Sequence, residues 1–136
     1  AAIRCVPDSL WMRLLLDTKV LLWTLSGAAR IQRIAPLILA PENEIFVSTV
    51  SLWVIATKAS IGKLNADVAE IKAAILASGF YELPVLGQHA VKLAALPLIH
   101  CDPFDRMIVA QAMAEPMRLL TGDAQLAAYS ELVEII

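Results

Sequence analysis

The chain has 136 residues and a formal net charge of −2; 59% of its residues are apolar and 18% charged. One domain is expected at this length, able to bury roughly two thirds of its unfolded surface. Five Gly and seven Pro exclude a collagen-like or disordered chain. The longest uncharged stretch, Ile45–Thr57, has 13 residues, short of the roughly 20 that a membrane-spanning helix needs. The charge balance excludes a strongly basic nucleic-acid surface but leaves room for a small basic groove.

Residues 1–11 carry Arg4, Pro7 and Asp8 and no apolar core of signal-peptide length. They read as an upstream extension or a cloning remnant, with a domain over residues 12–136. Cys5 and Cys101 have no metal-ligand spacing and read as free thiols in a reducing cytoplasm.

The apolar run Met12–Leu16 predicts a buried strand, after which Thr18 caps a helix that Ser26-Gly27 ends. Ile31–Leu39 predicts a second helix and Glu44–Val47 a second strand. Ser48 or Thr49 caps a long helix that stops at Gly62. A helix over Asp67–Ser78, a strand over Phe80–Leu83 and a helix over Gln88–Leu96 follow. Pro103 opens a helix to about Ala114, a position that tolerates proline. Met117–Leu120, Ala124–Tyr129 and Leu132–Ile136 read as strand, short helix and strand. Alternation of this kind predicts an α/β fold with a mostly parallel, twisted sheet.

Ligands in such sheets bind beyond the carboxyl ends of the strands. Asp17 follows the first strand, Asp123 follows the fourth, and Asp102 and Asp105 flank the start of the Pro103 helix. Each alone reads as a helix cap; three loci converging at one sheet edge favour a divalent cation, which relieves their repulsion. Other α/β chemistries lack their motifs. Gly62-Lys63 has Thr57 in the first glycine's place and Leu64 where a P-loop needs a hydroxyl. Neither GxGxxG nor GxSxG is present, and Lys19 stands where an aspartyl-phosphate enzyme needs a second acid. Metal-dependent phosphodiester chemistry remains.

Four ordered blocks resemble the PIN domain of VapC-type toxins: Met12–Thr18, Ser48–Lys58 with Gly62-Lys63-Leu64, His100–Ala112, and Leu119–Asp123. The resemblance implies a three-layer α/β/α sandwich and a Mg²⁺- or Mn²⁺-dependent ribonuclease acting as the toxin of a toxin–antitoxin pair. It implies an antitoxin partner, an RNA substrate and a homodimer, with no membrane association. It carries the catalytic and metal-binding acids onto Asp17, Asp105 and Asp123. Thr18, Ser48, Asp102 and Thr121 are the expected supports, and Lys19 and Arg106 candidate RNA contacts. For Arg106 a surface ion pair is the favoured alternative.

The chain departs from the pattern at Val54, within Trp53-Val54-Ile55, where this subgroup reads Trp-Glu-Ile. Glu42, Glu44, Glu70 and Glu82 fall out of pattern and do not replace the missing acid. Lys19 stands where histidine is common, and Cys101 where a basic residue is. A weakened nuclease is therefore expected, with a binding module that sequesters antitoxin or RNA as the alternative. Trp23, Trp53 and Phe104 read as core rather than base-stacking platforms, His89 as a surface or half-buried residue, and His100, without clustered His or Cys, as no transition-metal ligand. Trp11, Leu25 and Leu37 are candidates for a partner face.

Overall fold

Three consecutive leucines, Leu14, Leu15 and Leu16, have no exposed surface. They form most of β1 (Arg13–Leu16), and successive side chains of a strand point to opposite faces. A strand buried on both faces must lie inside a sheet covered twice. In the computed structural model, which describes residues 12–136, β1 is the middle strand of five. Cys5, Trp11 and the expected N-terminal extension lie outside the described residues.

The other strands are β2 (Glu44–Ser48), β3 (Tyr81–Leu83), β4 (Arg118–Thr121) and β5 (Val133–Ile135). All pairings are parallel, in the order β3-β2-β1-β4-β5. The five expected strands are all present, within one or two residues at their ends. Helices α1 (Thr18–Ser26), α2 (Ala35–Leu39), α3 (Thr49–Ser60), α4 (Val68–Ala77), α5 (Gly87–Ala94) and α6 (Pro103–Ala114) connect them.

The core divides by face. Leu14, Leu16, Val47 and Leu120 pack with Val20 and Leu21 of α1, Ile38 of α2 and Ile75 of α4. Leu15 and Leu119 pack on the opposite side with Ile108, Val109 and Ala112 of α6. This is the expected three-layer arrangement. Helix α3 contributes Val50 to one cluster and Ile55 to the other. Truncating a core leucine such as Leu15 to alanine costs about 2–5 kcal/mol in such settings.

Three local expectations change. Asp17, not Thr18, caps α1: its extended backbone brings the carboxylate over the first turn, where Oδ1 accepts the Val20 amide at 2.8 Å. Thr18 is already helical and donates to Ser51 Oγ at 2.9 Å. The single helix over Ile31–Leu39 is instead a 3-10 turn, Ala29–Ile31, followed by the short α2. Pro36 has no amide to donate, so the helix restarts with it in the first turn. Trp53 is not core: it is 62% exposed. Leu25 and Leu37 are partly buried against the first core cluster. No helix among the described residues is long and apolar enough to cross a membrane.

Strand order runs outward in one direction from β1 to β3, and in the other from β4 to β5. The β1/β4 boundary is therefore the switch point, where open parallel sheets bind ligands beyond the strand ends.

Candidate active site

Asp17 stands at the end of β1 and is 6% exposed. Its Oδ2 accepts a hydrogen bond from the hydroxyl of Thr121, the last residue of β4. Thr121 Oγ1 in turn accepts the Asp123 amide at 3.0 Å. The Asp17 amide donates to the Leu120 carbonyl at 3.1 Å. The two strand ends at the switch point are thus tied together through one carboxylate. Burial pushes the Asp17 carboxyl above the usual range, against the bonds from Thr121 and Val20 and the charge of Lys19.

Asp102 Oδ1 caps α6 by accepting the Phe104 and Asp105 amides at 2.8 and 3.2 Å. With Pro103 opening the helix, Asp105 stands in the same first turn. Burial raises its carboxyl to about 6, reinforced by Asp102, Asp17 and Asp123 and opposed by His100.

His100 completes the group. Its Nδ1 accepts the Asp102 amide at 3.0 Å, so the imidazole proton sits on Nε2, which donates to Asp123 Oδ2 at 2.9 Å. One ligand atom from each of His100, Asp105 and Asp123 lies within 4.8 Å of the others.

Asp17, Thr18, Asp102, Asp105 and Asp123 all line one cleft of about 630 Å³. Val54 lines it as well, from α3. None of Glu42, Glu44, Glu70 and Glu82 does; Glu44 faces a separate groove at the opposite end of β2. Four cations, Lys19, Arg30, Lys58 and Lys63, line the cleft together with Trp23 and Phe104. The Arg30 guanidinium lies over the Trp23 ring, 4.2 Å from its centroid. Gly122 makes this wall possible, because a Cβ there would meet the Trp23 ring at 2.8 Å.

Two expected contributors sit elsewhere. Ser48 is fully buried, caps α3 through the Val50 amide at 3.0 Å, and donates to Gln111 Oε1 at 2.5 Å. It faces α6 rather than the acids. Arg106 donates to the Leu96 carbonyl at 3.2 Å and does not line the cleft. Among the described residues it forms no ion pair. The Leu96 carbonyl lies just past the end of α5 (Gly87–Ala94), on the side of α6 away from the acids' cleft. His89 is likewise not a surface residue: it is fully buried, 2.6 Å from Glu115 Oε2, and accepts the Leu86 amide at 2.9 Å.

The functional candidates that sequence reading missed are His100, Arg30, Lys58, Lys63 and Trp23. His100 carried a signal in its position two residues before Asp102, and Lys58 and Lys63 in their place within the second block. Arg30 and Trp23 reach the cleft by tertiary packing.

The donor set suits a divalent cation. Three carboxylates face one space, and Asp105 is raised chiefly by burial and then by its acidic neighbours, the condition that a bound cation relieves. Oxygen donors match Mg²⁺ and Mn²⁺. Among the described residues, Asp105 and Asp123 bring ligand atoms together with His100 Nε2, and Asp17 faces the same cleft, so these are the side chains that could hold it.

An all-parallel sheet with carboxylates gathered beyond β1 and β4 defines a three-layer α/β protein built around an acidic cleft. Residues 14–132 match the PIN domain family, and the chain belongs to that family, which is of nuclease type. The fold is similar to a chain of VapBC2 from Rickettsia felis bound to a DNA fragment from their promoter, with a TM-score of 0.71 at 16% identity, over 91% of this chain and 98% of that one. It is similar to a chain of DNA-bound VapBC from Salmonella typhimurium, with a TM-score of 0.64 at 15% identity, over 92% and 97%. A toxin–antitoxin complex from Klebsiella pneumoniae gives 0.61 at 21% identity, over 89% and 95%. At these identities the likeness is one of fold. Comparison with curated protein sequences gives no significant match.

Proposed function

We propose that this chain is a VapC-type toxin of a toxin–antitoxin pair, a Mg²⁺- or Mn²⁺-dependent endoribonuclease by lineage whose chemistry is weakened by Val54. The observation that carries the reading is the cleft itself: Asp17, Asp105 and Asp123 face one space, with Val54 in its wall and no glutamate beside it. Four cations around the acids suit a polyanion whose phosphate must approach carboxylates.

A bound cation would supply an activated water and neutralise charge at the scissile phosphate. The protein's own contributions are positional. Thr121 holds Asp17, His100 holds Asp123, and the Asp102 cap fixes the turn that presents Asp105. Lys19, Arg30, Lys58 and Lys63 would draw RNA phosphates to the cleft. With Val54 in place of a fourth acid, an aligning contact for water or metal is absent.

The cognate antitoxin is the expected protein partner and the homodimer the expected assembly, in the cytoplasm. A second reading, a binding module that sequesters antitoxin or RNA without cutting it, draws on the same residue: the missing acid costs chemistry but leaves the groove.

Titrating Mn²⁺ into the chain and into Asp105→Asn tests the metal centre by calorimetry. Binding that the substitution weakens by roughly tenfold or more supports the reading. Equal binding in both proteins, or none in either, contradicts it.

A further inference from the structure

Trp53 is the largest strongly exposed apolar side chain among the described residues, at 62%. An indole so exposed forfeits burial worth more than that of any other side chain. It is nonetheless held in place: the Phe104 ring meets it edge to face, with centroids 5.0 Å apart and planes at 83°. Phe104 lines the acidic cleft, and so does Val54, the next residue on α3. Trp53 does not line the cleft itself; it stands beside it, braced against Phe104.

Its surroundings select the occupant. Lys58 lies further along the same helix, and Lys63 just beyond it; with Lys19 and Arg30 they place four of the chain's eleven Lys and Arg residues at this cleft. The whole chain is net negative, so the concentration is local. An aromatic face beside a cationic track is the combination that binds single-stranded nucleic acid: cations follow the phosphates, and a base stacks on the ring whatever its identity. A neutral protein helix would use the ring but not the cations.

We propose that Trp53 is a stacking platform for an unpaired RNA base next to the phosphate held in the cleft. The proposal rests on the ribonuclease reading above and adds to it a binding residue. The Trp53-Phe104 pair supplies the stack, and Lys58 and Lys63 the phosphate contacts flanking it.

The test is equilibrium binding, by fluorescence anisotropy in Mn²⁺, of a short mixed-sequence 2′-O-methyl oligoribonucleotide, single-stranded and as a duplex. Parent, Trp53→Ala, Trp53→Phe and Lys58→Ala/Lys63→Ala are compared, each checked by circular dichroism for an unchanged fold. Trp53→Ala should weaken single-strand binding by roughly five- to a hundredfold, the range for one lost stacked base. Trp53→Phe should recover most of it, and duplex binding should not change. Equal single-strand affinity of parent and Trp53→Ala, with Lys58→Ala/Lys63→Ala still weakened, would overturn the platform and leave the RNA reading intact. Absence of RNA binding by the parent would overturn both. A Trp53→Ala variant that binds RNA normally but changes its sedimentation would assign the ring to contact with a second copy and also overturn the proposal.

Discussion

The Thr121 hydroxyl at the end of β4 donates to the Asp17 carboxylate at the end of β1, joining residues 104 apart in sequence. The contact is local to the switch point, and it opposes the rise that burial imposes on the most buried acid in the cleft. Removing it in Thr121→Val leaves a buried carboxylate oxygen without its donor. The expected result is a loss of about 1–3 kcal/mol in stability, with Asp17 pushed still further up and Mn²⁺ binding shifted to higher pH. Denaturant melts and metal titrations at several pH values measure both.

Asp105 gives the apo protein a pH dependence of defined sign. Its folded carboxyl titrates at about 6, above the unfolded value of 3.8. Between these values the folded state binds more protons than the unfolded one, so stability falls as pH rises through the window and levels off above about 6. Metal binding needs the ionised form and should strengthen over the same range. Urea melts of parent and Asp105→Asn across this range check the sign; the variant should show the flatter profile.

Ser48 was expected to support the acids, and the structure places it in a different network. Its hydroxyl bonds Gln111, whose Nε2 reaches the Pro84 carbonyl at 3.3 Å and His89 Nδ1 at 3.4 Å. All three side chains are fully buried. Ser48→Ala should therefore lower stability by about 1–3 kcal/mol while leaving Mn²⁺ affinity unchanged. A parallel loss of metal affinity would return Ser48 to the site.

Gly122 is constrained by close approach rather than by its backbone angles. A methyl group at this position meets the Trp23 ring, on which Arg30 rests. Gly122→Ala should cost about 1–3 kcal/mol through overpacking and loosen the basic wall of the cleft. Thermal unfolding and RNA affinity, read together, should both decline.

The two central strands at the site were legible because each holds a short apolar run closed by a polar residue: Leu14–Leu16 by Asp17, Leu119 and Leu120 by Thr121. The positions of Asp17, Asp105 and Asp123 at strand ends and a helix start followed from the same punctuation. What local pattern does not encode is direction. Arg106 is adjacent to Asp105, but on a helix neighbouring side chains diverge by about a quarter turn or more, and its guanidinium leaves the cleft for the Leu96 carbonyl. His89 looked unremarkable because its partner Glu115 lies 26 residues away. Trp53 read as core on composition alone, whereas its place on α3 beside Phe104 leaves it facing solvent. The break near Pro36 was visible in the residue itself, and the apolar content of Ile31–Leu39 masked it.

Val54 lines the wall of the acidic cleft, and the proposed nuclease lacks an acid there. Val54→Glu should lower the melting temperature of the apo protein, by adding charge to crowded carboxylates, and enlarge the rise on adding Mn²⁺. The most direct measurement is Mn²⁺-supported RNA cleavage by the chain and by Val54→Glu side by side. The expected result is a gain in the variant of roughly a hundredfold or more, the scale of one positioned acid–base group. Equal rates in the two proteins would contradict the claim and require another residue to complete the site.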